Sequence, residues 1–165
     1  MTEKFHVRRE REVVDLLLKE GFITQEMIEK AREETKRTGL RMDAALEKLG
    51  FITEEDTVKI CAGDLGFPYV NLSDYVIDVE LLKLVPEEVV RKYWAVPLFK
   101  IGNTLTVGMV NAQDVKALDY IRKVSKIDMI EPVLVSERGI QRILDLYYGV
   151  AGSVEEIAET FEDKE

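Results

Sequence analysis

The segment Leu17-Leu18-Lys19-Glu20-Gly21-Phe22-Ile23-Thr24-Gln25-Glu26 returns 29 residues later as Leu46-Glu47-Lys48-Leu49-Gly50-Phe51-Ile52-Thr53-Glu54-Glu55, and eight of the fourteen residues from 17 to 30 are identical at that offset. Chance does not produce such a match, and the repeat has a physical reading as helix, tight turn, helix. Gly21 and Gly50 stand where a helix needs a left-handed C′ residue, which glycine adopts without a Cβ penalty. Thr24 and Thr53 then suit the N-cap of a following helix, and the polar and acidic residues after them suit a first turn facing the positive end of the helix dipole. Phe22-Ile23 and Phe51-Ile52 are the expected apolar plugs beneath the two turns. Residues 8–64 therefore read as four short helices, a tandem helix-turn-helix subdomain, after a disordered leader of residues 1–7.

Beyond Leu65-Gly66 the pattern changes, and residues 65–149 read as a second subdomain. Pro68-Tyr69-Val70-Asn71-Leu72 is expected as a short edge strand, because proline cannot donate to a ladder. Asp78 caps a turn of helix, and Pro86 with Glu87-Glu88 opens another as its N1 residue. Trp94 to Phe99 and Thr104 to Val110 flank Lys100-Ile101-Gly102-Asn103 as a hairpin, the start of a meander. A helix capped within Asn111 to Asp114 and bearing Val115, Leu118 and Ile121 follows. A strand from Ile127 to Val135 comes next, then a helix from Ser136 to Gly149. The fold class is α+β: a four-helix repeat, then a small mixed α/β subdomain with about four strands. Residues 150–165 read as an acidic linker or the start of a further helix, since Ser153-Val154-Glu155-Glu156 fits a capping box. A boundary inside a longer protein is the preferred reading of that tail.

Composition excludes several functions. A net charge of −9 argues against a duplex-binding surface, which needs clustered Lys and Arg. A helix-turn-helix nucleic-acid binder over Gln25 to Leu49 is accordingly the minor alternative. The apolar runs are a few residues long, far short of the roughly 20 that span a bilayer. With a single cysteine and no apolar leader, a cytoplasmic chain without direct membrane insertion is expected. The phosphate-cradling G-x-x-x-x-G-K-[ST] loop is missing, so this chain alone is expected not to hydrolyse ATP. His6 has no Cys or His near it, and Cys61 falls on the inward side of the fourth helix as a small core residue. Glu87-Glu88 and Glu155-Glu156 fit dipole-complementing first turns. Trp94, Tyr69, Tyr75, Tyr93, Tyr147 and Tyr148 are read chiefly as core. No catalytic residue and no metal site are expected.

With the repeat and the following segments in view, the chain resembles the N-terminal domain of type II secretion and type IV pilus assembly ATPases, the MshEN domain. The resemblance runs from the first helix-turn-helix through Leu65-Gly66-Phe67-Pro68-Tyr69-Val70-Asn71-Leu72, Leu84-Val85-Pro86-Glu87-Glu88, Val96-Pro97-Leu98-Phe99-Lys100 and Gly102-Asn103-Thr104-Leu105-Thr106-Val107 to Tyr147-Tyr148-Gly149. It implies a regulatory and docking domain at the cytoplasmic face of the inner membrane. Such a domain binds cytoplasmic parts of membrane-anchored assembly proteins and precedes a C-terminal ATPase domain.

One branch of the family also binds cyclic di-GMP through two tandem motifs that open Arg-Leu-Gly-x-x-Leu and close on a glutamine. Aligned on Gly21 and Gly50, the arginine positions are Glu12 and Arg41, the early glycine positions Val14 and Asp43, and the glutamine positions Thr35 and Asp64. Arg11 lies one residue out of register, a turn of roughly 100° on a helix. The resemblance thus carries a degenerate ligand set: Arg41, Leu46, Gly50, Phe51 and Asp64 in the second repeat, and Arg11, Leu17, Gly21 and Phe22 in the first. Cyclic di-GMP is expected to bind weakly or not at all, with any residual affinity on the second repeat, and no cofactor is required.

Overall fold

In a computed structural model the described residues are 2–148, with side chains from Arg11 onward. The chain divides into two compact units, breaking between Gly66 and Phe67. The expectations for His6 and for the tail beyond Tyr148 fall outside the described side chains and residues.

The first unit is α1 (Thr2–Lys19), α2 (Gln25–Thr38), α3 (Met42–Lys48) and α4 (Glu54–Leu65). Helix α1 begins ahead of the expected residue 8 and takes in residues assigned to the leader. Both repeats close by the same pair of bonds. Phe22 N–H donates to the Leu17 carbonyl (2.9 Å) and Gly21 N–H to Leu18 (3.2 Å), while Phe51 donates to Leu46 and Gly50 to Glu47, each at 3.0 Å. This is the Schellman arrangement, and it requires the left-handed φ of +82° at Gly21 and +78° at Gly50. Thr24 then caps α2 by accepting from Met27 N–H. Thr53 caps α4 within a full capping box, its hydroxyl accepting from Asp56 N–H (3.1 Å) while Asp56 Oδ2 accepts from Thr53 N–H (3.0 Å). The core of the unit holds Val13, Leu17, Ile23, Ile28, Ala31, Ala45, Leu46, Ile52 and Cys61. Of each expected apolar plug only the isoleucine is buried: Phe22 is exposed and Phe51 half-buried. The reason is local, because the glycine turn sends consecutive side chains in opposite directions and only one meets the core.

The second unit orders α5 (Val79–Leu82), α6 (Glu87–Tyr93), β1 (Ala95–Ile101), β2 (Thr104–Met109), α7 (Val115–Ser125), β3 (Met129–Leu134) and α8 (Glu137–Tyr147). Strands β1 and β2 form the expected hairpin, turning at Gly102, whose φ of +60° suits the first central position of a two-residue loop. The meander stops there. Helix α7 carries the chain across the sheet, so β3 pairs with β2 in parallel, giving the order β1-β2-β3.

The described sheet has three strands, not four. The segment from Pro68 to Leu72 makes a single bridge at Tyr69–Leu134, with Leu134 N–H donating to the Pro68 carbonyl and Val70 N–H to Leu134. Pro68 has no N–H, and Asn71 folds back to accept from Ser73, which ends the pairing after one residue. Strand β3 also starts later than expected, because Lys126 takes a left-handed cap (φ 62°) and Ser125 Oγ accepts from Ile127 N–H. Pro86 is the N-cap of α6 and not its first helical residue. Asp78, Asp114 and Ser136 cap α5, α7 and α8 with their side chains as expected.

The core of this unit joins sheet residues such as Leu105, Val107 and Met109 to Ile121 of α7 and Ile140, Ile143 and Leu144 of α8. Tyr148 is fully buried against it, and Tyr75, Tyr93, Trp94 and Tyr147 are half-buried on it. The aromatics act as packing and as staples: Tyr75 donates its hydroxyl proton to the Leu98 carbonyl, and the Tyr147 hydroxyl accepts from Ile77 N–H.

Candidate functional site

A cleft of about 430 Å³ opens in the helical unit among α1, α2 and α3. Its walls are two helical stripes, Arg11, Val14, Asp15 and Leu18 from α1 facing Gln25, Ile28 and Arg32 from α2, with Met42 of α3 at one end. The spacing explains the convergence. Residues at i, i+3, i+4 and i+7 share one face of a helix, so each helix offers apolar side chains flanked by one arginine. Chemically the cleft pairs an apolar floor with two guanidinium groups, one carboxylate and one amide. Such a lining suits a flat ligand that carries negative charge, because guanidinium stacks on planar rings and pairs bidentately with phosphate. Arg32 also carries Glu29 Oε1 at 2.6 Å, with both side chains at least half exposed, so this pair is screened by water.

The carried-over positions distribute unevenly around this cleft. Arg11 lines it, as does Val14 at the early glycine position. Leu17 and Leu46 have no exposed surface, and Gly21 and Gly50 serve the two turns; these four are framework. Phe22 and Phe51 flank the turns, Glu12 is exposed on α1, and Asp64 is exposed on α4.

Arg41 precedes α3 with its guanidinium held by its own repeat. Its Nε lies 3.4 Å from Asp43 Oδ1, and Nη2 donates to Asp43 Oδ2 at 3.4 Å. The Nε is out of contact with water and has no hydrogen-bond partner of its own. Asp43, at the early glycine position of the second repeat, also accepts from Ala44 N–H at 2.9 Å. Thr35, at the glutamine position of the first repeat, has a buried hydroxyl without a partner.

Asp15, Gln25 and Arg32 were not among the carried-over residues. A stripe count on α2, with Gln25, Ile28 and Arg32 at i, i+3 and i+7, was the available signal. Next to the cleft, Glu34 of α2 binds Lys48 of α3 at 2.8 Å and also pairs with Arg37. These bonds, to Lys48 first and Arg37 second, hold its pKa below the usual carboxylate value. Lys48 is the only basic residue within α3, which also carries Asp43 and Glu47, so this helix lacks the cationic face that phosphate contacts require. Among the described residues no group of three or more His, Cys, Asp or Glu is arranged to hold a metal ion, and no helix is long and apolar enough to cross a membrane.

A tandem helical repeat with a paired-arginine cleft, joined to a three-stranded α+β unit, defines the N-terminal class of secretion and pilus motor domains. Residues 65–154 match the MshEN domain family, and the chain belongs to that family. It is 33% identical over 144 residues to the type IV pilus assembly ATPase PilB of Myxococcus xanthus, covering 87% of this chain and 25% of that protein. It is 29% identical over 134 residues to PilB of Thermus thermophilus, covering 79% of this chain and 15% of that protein. The chain thus spans a quarter or less of these relatives. Among solved structures it is similar to MshE with cdg, at 29% identity and a TM-score of 0.59, covering 82% of this chain and 98% of that one.

Proposed function

We propose that this chain is the non-catalytic regulatory and docking domain of a type IV pilus assembly ATPase. It works at the cytoplasmic face of the inner membrane, binds cytoplasmic segments of membrane-anchored assembly proteins, and hands their state to a C-terminal ATPase domain. The observation that carries the reading is the similarity to one MshE chain over 82% of this sequence, alongside the PilB relatives. The test is a pull-down of the 165-residue chain with cytoplasmic segments of inner-membrane pilus proteins, paired with an ATP turnover assay. Capture of one such segment without turnover is the expected result. Turnover that survives extensive purification, or no capture by any segment of the assembly, contradicts it.

A second reading rests on the cleft. We infer that it accepts a purine dinucleotide of the cyclic di-GMP type with low affinity, supported by the two arginines over an apolar floor and by the cdg in the MshE structure. Arg32→Ala should weaken binding about tenfold or more, the cost of one charge-assisted contact. Glu12→Arg should strengthen it. Calorimetric titration that finds both variants equal to the parent speaks against this site.

A further inference from the structure

The two repeats place different residues at their early glycine position, and the difference bears on the arginine beside the cleft. In the first repeat the residue is Val14, which joins the apolar floor. In the second it is Asp43, whose carboxylate reaches both the Nε and Nη2 of Arg41 at 3.4 Å. Met42, between Arg41 and Asp43, projects into the cleft, so the pair stands at its α3 end. We propose that Asp43 is the affinity-determining residue of this site, a positioning residue that withholds Arg41 from a ligand seated in the cleft. The inference rests on the dinucleotide reading above.

Burial and geometry give the reason. The two side chains are 31% and 21% exposed, so the pair is shielded from water more than Arg32 and Glu29, at 50% and 63%. Attraction between opposite charges grows as the surroundings lose water. A ligand phosphate approaching Arg41 must therefore compete with a carboxylate already in place, and it also meets that carboxylate as a like charge. Neither cost applies at Arg32, whose partner is exchangeable with solvent. At 3.4 Å the bonds to Asp43 are long for a charge-assisted pair, so Arg41 is held by charge more than by a tight hydrogen bond. Removing the charge alone, without removing the side chain, should free it.

Asp43→Asn is the suited variant, because the amide oxygen can keep the 2.9 Å bond from Ala44 N–H while the carboxylate charge is lost. Cyclic di-GMP is titrated calorimetrically into the parent, Asp43→Asn, Arg41→Ala and the double variant, with far-ultraviolet ellipticity and thermal midpoints confirming the fold. Asp43→Asn should bind at least about tenfold more tightly than the parent. Arg41→Ala should cost far more in the Asp43→Asn background than in the parent, a coupling that a purely structural role for Asp43 does not produce. If Asp43→Asn is disruptive, Asp43→Ala supplies the same comparison. A parent that binds while Asp43→Asn leaves affinity unchanged overturns the inference and spares the dinucleotide reading. So does a loss in Arg41→Ala that is equal in both backgrounds. No binding by any of the four proteins at millimolar ligand overturns both.

Discussion

Replacing Leu46 by alanine tests whether the repeat leucines are framework or ligand contacts. Leu46 has no exposed surface and lies in the nine-residue core of the helical unit. A fully buried Leu→Ala change costs about 2–5 kcal/mol, transfer and cavity terms together. At roughly 0.05–0.15 kcal/mol per residue, a unit ending at Gly66 has about 3–10 kcal/mol in total, so the change removes a large share of its stability. With a urea slope of about 1.5 kcal/mol per molar, a 3 kcal/mol loss moves the midpoint by about 2 M. The sequence supplies its own reporter, because the single tryptophan, Trp94, packs against the other core. Far-ultraviolet ellipticity reports both units, whereas Trp94 emission reports the second alone. Leu46→Ala should therefore shift the helical part of the ellipticity transition and leave the Trp94 midpoint in place. A loss under about 1 kcal/mol would refute the burial argument. An equal shift in both signals would show that the two units unfold as one.

Three further outcomes follow from particular contacts. Gly108→Ala would place a Cβ 2.9 Å from Val135 Cγ1 and 3.2 Å from Leu98 Cδ1 in the middle of β2, so the Trp94 midpoint should fall by about 1–3 kcal/mol of overpacking; a gain in stability would mean this space is open. Thr53→Ala should cost about 1 kcal/mol and more than Thr24→Ala, since only Thr53 shares a reciprocal cap with Asp56; equal losses in urea titrations would remove the capping-box argument. Burial, with Glu87 second, raises the Tyr148 pKa, and burial raises that of Tyr75, so both phenols stay protonated in the folded state after the unfolded chain has begun to ionise. Their contribution is whole below the ordinary phenol value of about 10 and is lost above it. Denaturant midpoints read from Trp94 should fall with rising pH there, and Tyr148→Phe should flatten that fall; a slope unchanged by the variant would refute the assignment.

The helical unit was legible because its determinants are local. A glycine, a threonine and an acidic first turn at fixed spacing define each corner, and they recur 29 residues apart. The α+β unit was legible where the same rule held, at the caps Asp78, Asp114 and Ser136 and at the Gly102 turn. It was not legible where a partner lies far along the chain. Nothing in Pro68 to Leu72 says that pairing ends after one bridge, and nothing in residues 127–135 says that β3 runs parallel to β2, because both depend on the crossing made by α7. The candidate site shows the same division. Alignment on the glycines located Arg11, Val14 and Arg41, but neither Arg32 nor the Arg41–Asp43 pair follows from the family pattern. The first arises from the face α2 turns to α1, the second from a carboxylate standing where the family motif has no side chain.

The bridge at Tyr69–Leu134 also sets an order of events during synthesis. The four helices of the first unit make their contacts over short spans of sequence, so they can consolidate soon after Leu65 leaves the ribosome. The second unit cannot. Its first ordered segment is fastened by Arg142, which donates to the Leu72 carbonyl across 70 residues, and by the Tyr147 hydroxyl at Ile77, again across 70. Until α8 has emerged, that segment, the hairpin and the apolar face of α7 wait without their closing partners. A nascent chain stalled short of α8 should therefore carry a finished helical repeat ahead of an open, chaperone-dependent sheet, and lesions in α8 should act on the yield of folded protein before they act on any binding surface.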